Sequence, residues 1–262
     1  MKYGSIGCGN MGGAVVRGLR QATFDIAVSD RSGKAKDFSA QLGISYTDNL
    51  TIAENCDRIF LAVKPHMIQS VLAPLQEVLA RRKPVLISMI AGVEMAQIEA
   101  FAGTPLPVIR MMPNTPTAIG KGVIQYCCNS LVTDALLADW LQDMRFCGLL
   151  DSLDEGLIGA ASALSGSGPA YMYVFLEALA DGAVACGLPR AKAMEYAAMT
   201  MAGAAEMYLQ TKAHPGALKD AVCSPGGSTI AGIRALEQHG FRSAAMDCVI
   251  GTYQRNKELG KS

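Results

Sequence analysis

Residues 7–12 read Gly-Cys-Gly-Asn-Met-Gly, the spacing of a turn that lays backbone against phosphate. Gly7 permits the tight turn, Gly9 lets the backbone approach a pyrophosphate, and Gly12 lets a helix pack closely on a strand. A helix opening there, from about Met11, offers free N–H groups and positive partial charge to the phosphates. Gly7, Cys8, Gly9, Asn10 and Met11 are therefore expected to hold a dinucleotide. The next strand should end at the adenosine ribose, where the chain reads Ser29-Asp30-Arg31-Ser32, with Lys34 close behind. An acidic residue here favours the free ribose hydroxyls of NAD, and an arginine favours the phosphate of NADP. Asp30 and Arg31 give opposite signals, and Asp30 could instead cap the following helix. The polar, basic grouping of Ser29, Arg31, Ser32 and Lys34 tilts the expectation to NADPH, with NADH still open. Ala62-Val63-Lys64-Pro65 closes a further strand, where ligands of such sheets bind; Lys64 could equally stand in solvent.

A second glycine turn lies far along the chain. Ser224-Pro225-Gly226-Gly227-Ser228-Thr229 precedes a helix with Ile230, Ile233 and Leu236 on one face. Such a turn offers unpaired N–H groups and hydroxyls to an anion such as a carboxylate; the alternative is an interhelical turn with a serine cap. Ser165-Gly-Ser-Gly-Pro169 could be a ligand loop or only a helix N-terminus with proline near its first turn. Other chemistries find little to work with. His66, His214 and His239 lack ligand-like companions, no pair among the eight cysteines has C-x-x-C spacing, and no metal site is expected. No G-x-S-x-G elbow occurs. Hydride transfer, which a nicotinamide cofactor carries, is the remaining chemistry.

These groups need elements to position them. Up to about Asp151 short β-like runs (Tyr3–Ile6, Ile26–Val28, Arg58–Val63, Val85–Ile90, Pro107–Met112, Val123–Cys127, Leu149–Asp151) alternate with helical stretches such as Ala14–Leu19 and Ile68–Leu79. That alternation predicts an α/β Rossmann domain over 1–152, with a mostly parallel sheet. Beyond it the β signal stops. Apolar residues from Tyr171 to Cys186 fall at steps of three and four, and Ala191–Met207 is apolar almost all round. An all-α domain over 153–262 follows. Its uniformly apolar helix must be buried, either within the domain or under a partner subunit.

Lys and Arg total 23 and Asp and Glu total 23, which leaves no basic field for nucleic acid or an anionic membrane. The longest charge-free stretch, Ile158–Leu176, is broken by Ser-Gly-Ser-Gly-Pro, which argues against a membrane span. Scattered thiols and the lack of a signal-peptide pattern predict a cytoplasmic protein.

The chain resembles the pyrroline-5-carboxylate reductases over essentially its whole length. The resemblance is carried by Ile-Gly-Cys-Gly-Asn-Met-Gly at 6–12, Ala-Val-Lys-Pro at 62–65, Arg-Met-Met-Pro-Asn-Thr-Pro at 110–116 and, most diagnostically, the segment 220–237 around Ser-Pro-Gly-Gly-Ser-Thr. Leu-Ser-Gly-Ser-Gly-Pro-Ala-Tyr at 164–171 adds to it. The resemblance implies reduction of 1-pyrroline-5-carboxylate to L-proline by NAD(P)H, the last step of proline synthesis. It also implies a Rossmann domain, a helical dimerisation domain and an active site shared across a homodimer, with larger assemblies of dimers left open. By position, Gly7 to Met11 would hold the pyrophosphate, Asn49 would lie near the adenosine, and Ala62 to Pro65 would line the nicotinamide side. Ser224, Gly226, Gly227, Ser228 and Thr229 would bind substrate, with Thr229 as the catalytic hydroxyl. NADP-preferring members often carry Asn where Asp30 stands, so this position departs from the pattern. Two other readings are a different imine or hydroxyacid reductase of the superfamily and a non-catalytic dinucleotide sensor.

Overall fold

The computed structural model describes residues 1–259; residues 260–262, the end of the expected second domain, lie outside them. The chain forms two compact units, Met1–Pro169 together with the segment from Thr252, and Ala170–Gly251. The last strand nevertheless ends at Ser152, so the first helix after the sheet belongs to the first unit.

The first unit alternates strand and helix. In chain order its elements are β1 (Tyr3–Ile6), α1 (Asn10–Leu19), β2 (Ile26–Ser29), α2 (Lys34–Leu42), β3 (Ser45–Tyr46), α3 (Asn49–Asn55) and β4 (Arg58–Leu61). Then come α4 (Ile68–Leu72), α5 (Gln76–Arg82), β5 (Val85–Ser88), α6 (Met95–Ala102), β6 (Val108–Met112), β7 (Gly122–Cys128), α7 (Asp134–Met144), β8 (Gly148–Ser152) and α8 (Glu155–Ser165). The eight strands form one sheet in the order β3-β2-β1-β4-β5-β6-β7-β8. Pairing is parallel throughout except between β6 and β7. β1, β2, β4 and β5 are buried at every position, because helices cover both faces of a parallel sheet. Two apolar clusters result. Ile59, Leu61, Leu79, Leu86 and Ile98 lie in one, and Val15, Leu19, Phe60, Ile87 and Trp140 in the other. β3 has only two residues, both exposed, and gives no apolar run for sequence reading to detect.

The second unit is helical. It contains most of α9 (Gly168–Ala185), then α10 (Arg190–Thr211), α11 (Pro215–Ala221), α12 (Ser228–Gln238) and most of α13 (Phe241–Leu259). α10 covers the segment expected to be buried, yet Ala193 is its one buried residue and Met199 is 69% exposed. The unit's own helices therefore do not cover it, and the reading that this helix is buried within its own domain is not met. Among the described residues no helix is long and apolar enough to cross a membrane.

Candidate active site

The first glycine turn leaves β1 and enters α1. Gly7 has φ +99°, and a Cβ there would lie 2.3 Å from the Ala62 carbonyl oxygen. Gly12 is as tightly placed, with a virtual Cβ 2.6 Å from the Gly7 oxygen and 2.9 Å from Ala62 Cβ. Gly9 differs, since its missing side chain faces open space, with nothing within 4 Å. α1 begins with no side-chain cap and no acidic residue in its first turn. An open cradle under uncapped N–H groups is what a pyrophosphate requires, so the residues fit a dinucleotide. Cys8 lies half-buried in this turn. Burial, helped by the Asp30 charge and opposed by Arg17, pushes its thiol up to about 11 and keeps it neutral near pH 7.

The ends of β1, β2 and β4 meet at this cradle. The Gly7 N–H donates to the Ser29 carbonyl at 2.9 Å, and the Ala62 N–H donates to the Ile6 carbonyl at 2.9 Å. Ser29 is buried, and its hydroxyl donates to Asn49 Oδ1 at 2.6 Å. Ser29, Asn49, Ala62 and Gly7 are thus brought together, with Ser29 supporting Asn49 through its side chain. Lys64 and Pro65 are exposed and open a short 3-10 turn after β4.

Asp30 does not cap the following helix, whose N-cap is Gly33, and its Oδ1 is buried with no hydrogen-bond partner among the described residues. Its other oxygen, Oδ2, accepts from the Ser32 hydroxyl within its own turn. Burial acts to raise its carboxyl, but the Ser32 hydroxyl and the nearby N–H dipoles of Ala35, Gly33 and Ser32 outweigh it and lower the group below the usual range. Arg31, Ser32 and Lys34 are left exposed.

A cavity of about 350 Å³ opens at the C-terminal ends of β4, β5 and β6, lined by Pro65, Ala91, Gly92, Arg110, Met112 and Glu155 among others. Two polar networks that sequence reading missed attach α8 to the sheet. Glu155 Oε1 accepts from Arg110 Nη1 at 2.9 Å. At the other end of the helix the Asn114 amide donates to the Ser165 carbonyl at 2.9 Å, and Gln125 donates to the Ser165 hydroxyl at 3.0 Å. Arg110 and Asn114 stand in the Arg-Met-Met-Pro-Asn-Thr-Pro run, which carried this signal as buried polar residues inside an apolar strand and turn.

In the second unit, the Ser224 carbonyl accepts from the Gly227 N–H at 3.0 Å, closing a turn with Pro225 and Gly226 at its centre. The left-handed residue is Gly226, φ +71°. Gly227 has φ −77°, an ordinary backbone for any residue, and a Cβ there would meet Ser224 Oγ at 2.6 Å. Gly227 is the N-cap of α12 and no side chain caps that helix, so the serine-cap alternative is not realised. Ser228 and Thr229 open the helix and are exposed. Among the described residues no group of three or more His, Cys, Asp and Glu side chains converges as a metal site would.

Strand order, glycine cradle and helical second unit together define a Rossmann-type, dinucleotide-dependent oxidoreductase. The model "Pyrroline-5-carboxylate reductase dimerisation" matches residues 155–259, and "NADP oxidoreductase coenzyme F420-dependent" matches 2–92. Pyrroline-5-carboxylate reductase of Escherichia coli K12 is 38% identical over 100% of this chain and 99% of that protein. That of Methanosarcina acetivorans is 40% identical over 99% and 98%. The crystal structure of the Plasmodium falciparum enzyme with NADP bound superposes with a TM-score of 0.89 at 31% identity, covering 99% of each chain. The structure from Coxiella burnetii gives 0.88 at 35% identity, covering 100% of this chain and 99% of that one. The chain belongs to the pyrroline-5-carboxylate reductase family.

Proposed function

We propose that this protein reduces the C=N bond of 1-pyrroline-5-carboxylate to give L-proline, as the final step of proline biosynthesis, with NADPH as the preferred reductant. The observation that carries the reading is full-length kinship with reductases of that name, joined to a glycine cradle open at Gly9. NADPH supplies the hydride when bound. The backbone from Gly7 to Met11 holds its pyrophosphate, Asn49 orients the adenosine side, and Ala62 to Pro65 line the nicotinamide side. The preference for NADPH is supported by exposed Arg31 and Lys34 at the ribose end, beside Asp30, one of whose carboxylate oxygens is held by the Ser32 hydroxyl.

The substrate carboxylate rests on the N–H groups around Gly226–Thr229, at the uncapped start of α12. Charge-assisted bonds of this kind contribute roughly 1.5–3 kcal/mol each. Thr229 hydrogen-bonds the ring nitrogen and orients it, with the proton delivered directly or through water. An unperturbed hydroxyl is a weak acid at pH 7, so its contribution is modest beside proximity.

The protein works as a homodimer in the cytoplasm, and larger assemblies of dimers are compatible with this. α10, apolar and uncovered within its own unit, supports the dimer: a partner subunit removes such a surface from water. The eight free thiols support a reducing compartment. The deciding experiment is NADPH oxidation with and without 1-pyrroline-5-carboxylate, beside a panel of other cyclic imines and hydroxyacids. Turnover that follows a different substrate, or NADPH binding without any turnover, overturns the reading. Sedimentation reports the dimer, and a folded, active monomer at micromolar concentration overturns it.

A further inference from the structure

Glu155 is the first residue of α8 and forms part of the wall of the cavity at the ends of β4, β5 and β6. Its Oε1 accepts twice: from Arg110 Nη1 at 2.9 Å and from the backbone N–H of Met95 at 2.8 Å. Arg110 stands on β6 with its side chain 7% exposed, so the guanidinium is fixed by burial. Met95 is the first residue of α6 and directly follows the turn Ala91–Glu94 that leaves β5. Ala91 and Gly92 of this turn line the same cavity as Pro65. The Glu94 N–H is held locally, by Gln97 Oε1 at 2.9 Å. The Met95 N–H, an orphan of the helix start, is held instead by a side chain from another helix, itself fixed by a third element.

We propose that Glu155 is a positioning residue for the reduction: through the Met95 N–H it sets the Ala91–Glu94 turn against the cavity, while Arg110 orients its carboxylate. The proposal rests on the functional reading above. Ligands of parallel sheets bind beyond the strand C-termini, and β4 and β5 with their following turns form that edge here. A turn that shifts by a fraction of an ångström changes the approach of reacting groups while leaving the pyrophosphate cradle, built on β1 and α1, intact.

Helix position N1 offers a selective test. Proline is favoured there because its missing N–H has no helical partner, and Glu94, at φ −85° and ψ 161°, already has the extended backbone that precedes proline. Met95→Pro therefore deletes the donor, and Met95→Ala controls for the lost side chain. We expect Met95→Pro and Glu155→Ala each to lower kcat roughly 10-fold or more, with NADPH affinity by fluorescence titration within about 3-fold of wild type. Their double variant should lose no more than either alone. Glu155→Gln, whose amide oxygen still accepts from Met95, should recover most of kcat. In the cofactor-free protein, Glu155→Ala should speed amide exchange in the 91–98 segment while β1 stays protected. Met95→Pro matching Met95→Ala in kcat overturns the proposal, as does unchanged exchange in folded Glu155→Ala. Should Glu155→Ala fail to fold, the two Met95 variants decide alone. Amide exchange reports the contact even if wild type proves inactive on the pyrroline, so failure of the functional reading remains separate.

Discussion

The Ser29 hydroxyl donates to Asn49 Oδ1 at 2.6 Å, tying the end of β2 to the first turn of α3. The bond fixes which edge of the Asn49 amide is turned away from Ser29 and leaves its NH2 group to donate elsewhere. Asn49→Ala should raise KM for NADPH about 5-fold, the worth of about one net hydrogen bond, with kcat at saturating cofactor nearly unchanged. Steady-state kinetics with NADPH as the varied substrate check this, and an unchanged KM counts against Asn49 at the adenosine.

Gly9 and Gly12 should separate binding from stability. A Cβ at Gly9 meets nothing in the free protein, so Gly9→Ala should leave Tm within about 1–2 °C while raising KM for NADPH at least roughly 10-fold. A Cβ at Gly12 strikes the Gly7 carbonyl, so Gly12→Ala should lower Tm by several degrees, consistent with about 1–3 kcal/mol of overpacking, as well as weaken NADPH. Calorimetry beside cofactor titration tests the contrast. Equal melting losses for the two variants contradict it.

Arg31 should act on cofactor choice. With Asp30 engaged by Ser32, removing the exposed guanidinium in Arg31→Ala should raise KM for NADPH roughly 10-fold and leave KM for NADH within about 2-fold. A clear NADH preference in the wild type sinks the assignment.

In the second glycine turn, Gly227→Val drives a side chain into Ser224 and should raise KM for the pyrroline substrate far more than for NADPH. Gly226→Ala, at φ +71°, should cost about 1–2 kcal/mol in backbone strain. Thr229→Ala should lower turnover by at most roughly 100-fold with NADPH binding intact, and Thr229→Ser should keep most activity. Wild-type rates in Thr229→Ala show that the proton comes without it.

Alkali should destabilise the protein through its thiols. Burial pushes Cys56, Cys127 and Cys128 up to about 11 and Cys147 to about 12, from an ordinary 9.0. Between those values the unfolded chain has released protons that the folded chain keeps, so stability is full below pH 9 and falls as pH rises beyond it. Tm measured from pH 7 to pH 11 should show its alkaline decline starting near 9. Serine at Cys147 leaves no group to titrate there and should flatten the decline, which a pH-independent loss contradicts.

Some of this was legible along the chain because the signal is local. Gly7, Gly9 and Gly12 announce a phosphate cradle through spacing alone, since the turn, the approach and the packing each need a missing Cβ within six consecutive residues. The buried strands read as apolar runs because helices cover both faces of a parallel sheet. The turn at 224–229 was visible as a glycine loop opening a helix, but which glycine takes the left-handed backbone was not. Pro225 before Gly226 sets that, through a turn geometry that spacing does not encode. Asp30 shows the same limit. Its type fits ribose reading or capping equally, and the fold sets one carboxylate oxygen on the Ser32 hydroxyl and leaves Oδ1 buried without a partner among the described residues. The Arg110–Glu155–Met95 contact is the furthest from view. Its partners lie 45 and 60 residues apart and on three elements, and only the packing of α8 beside β6 and α6 brings their charges and N–H groups within 3 Å. Sequence alone determined the elements and the chemistry each glycine turn permits. Tertiary structure decided which polar groups satisfy one another, because a buried donor takes whichever acceptor the fold places beside it.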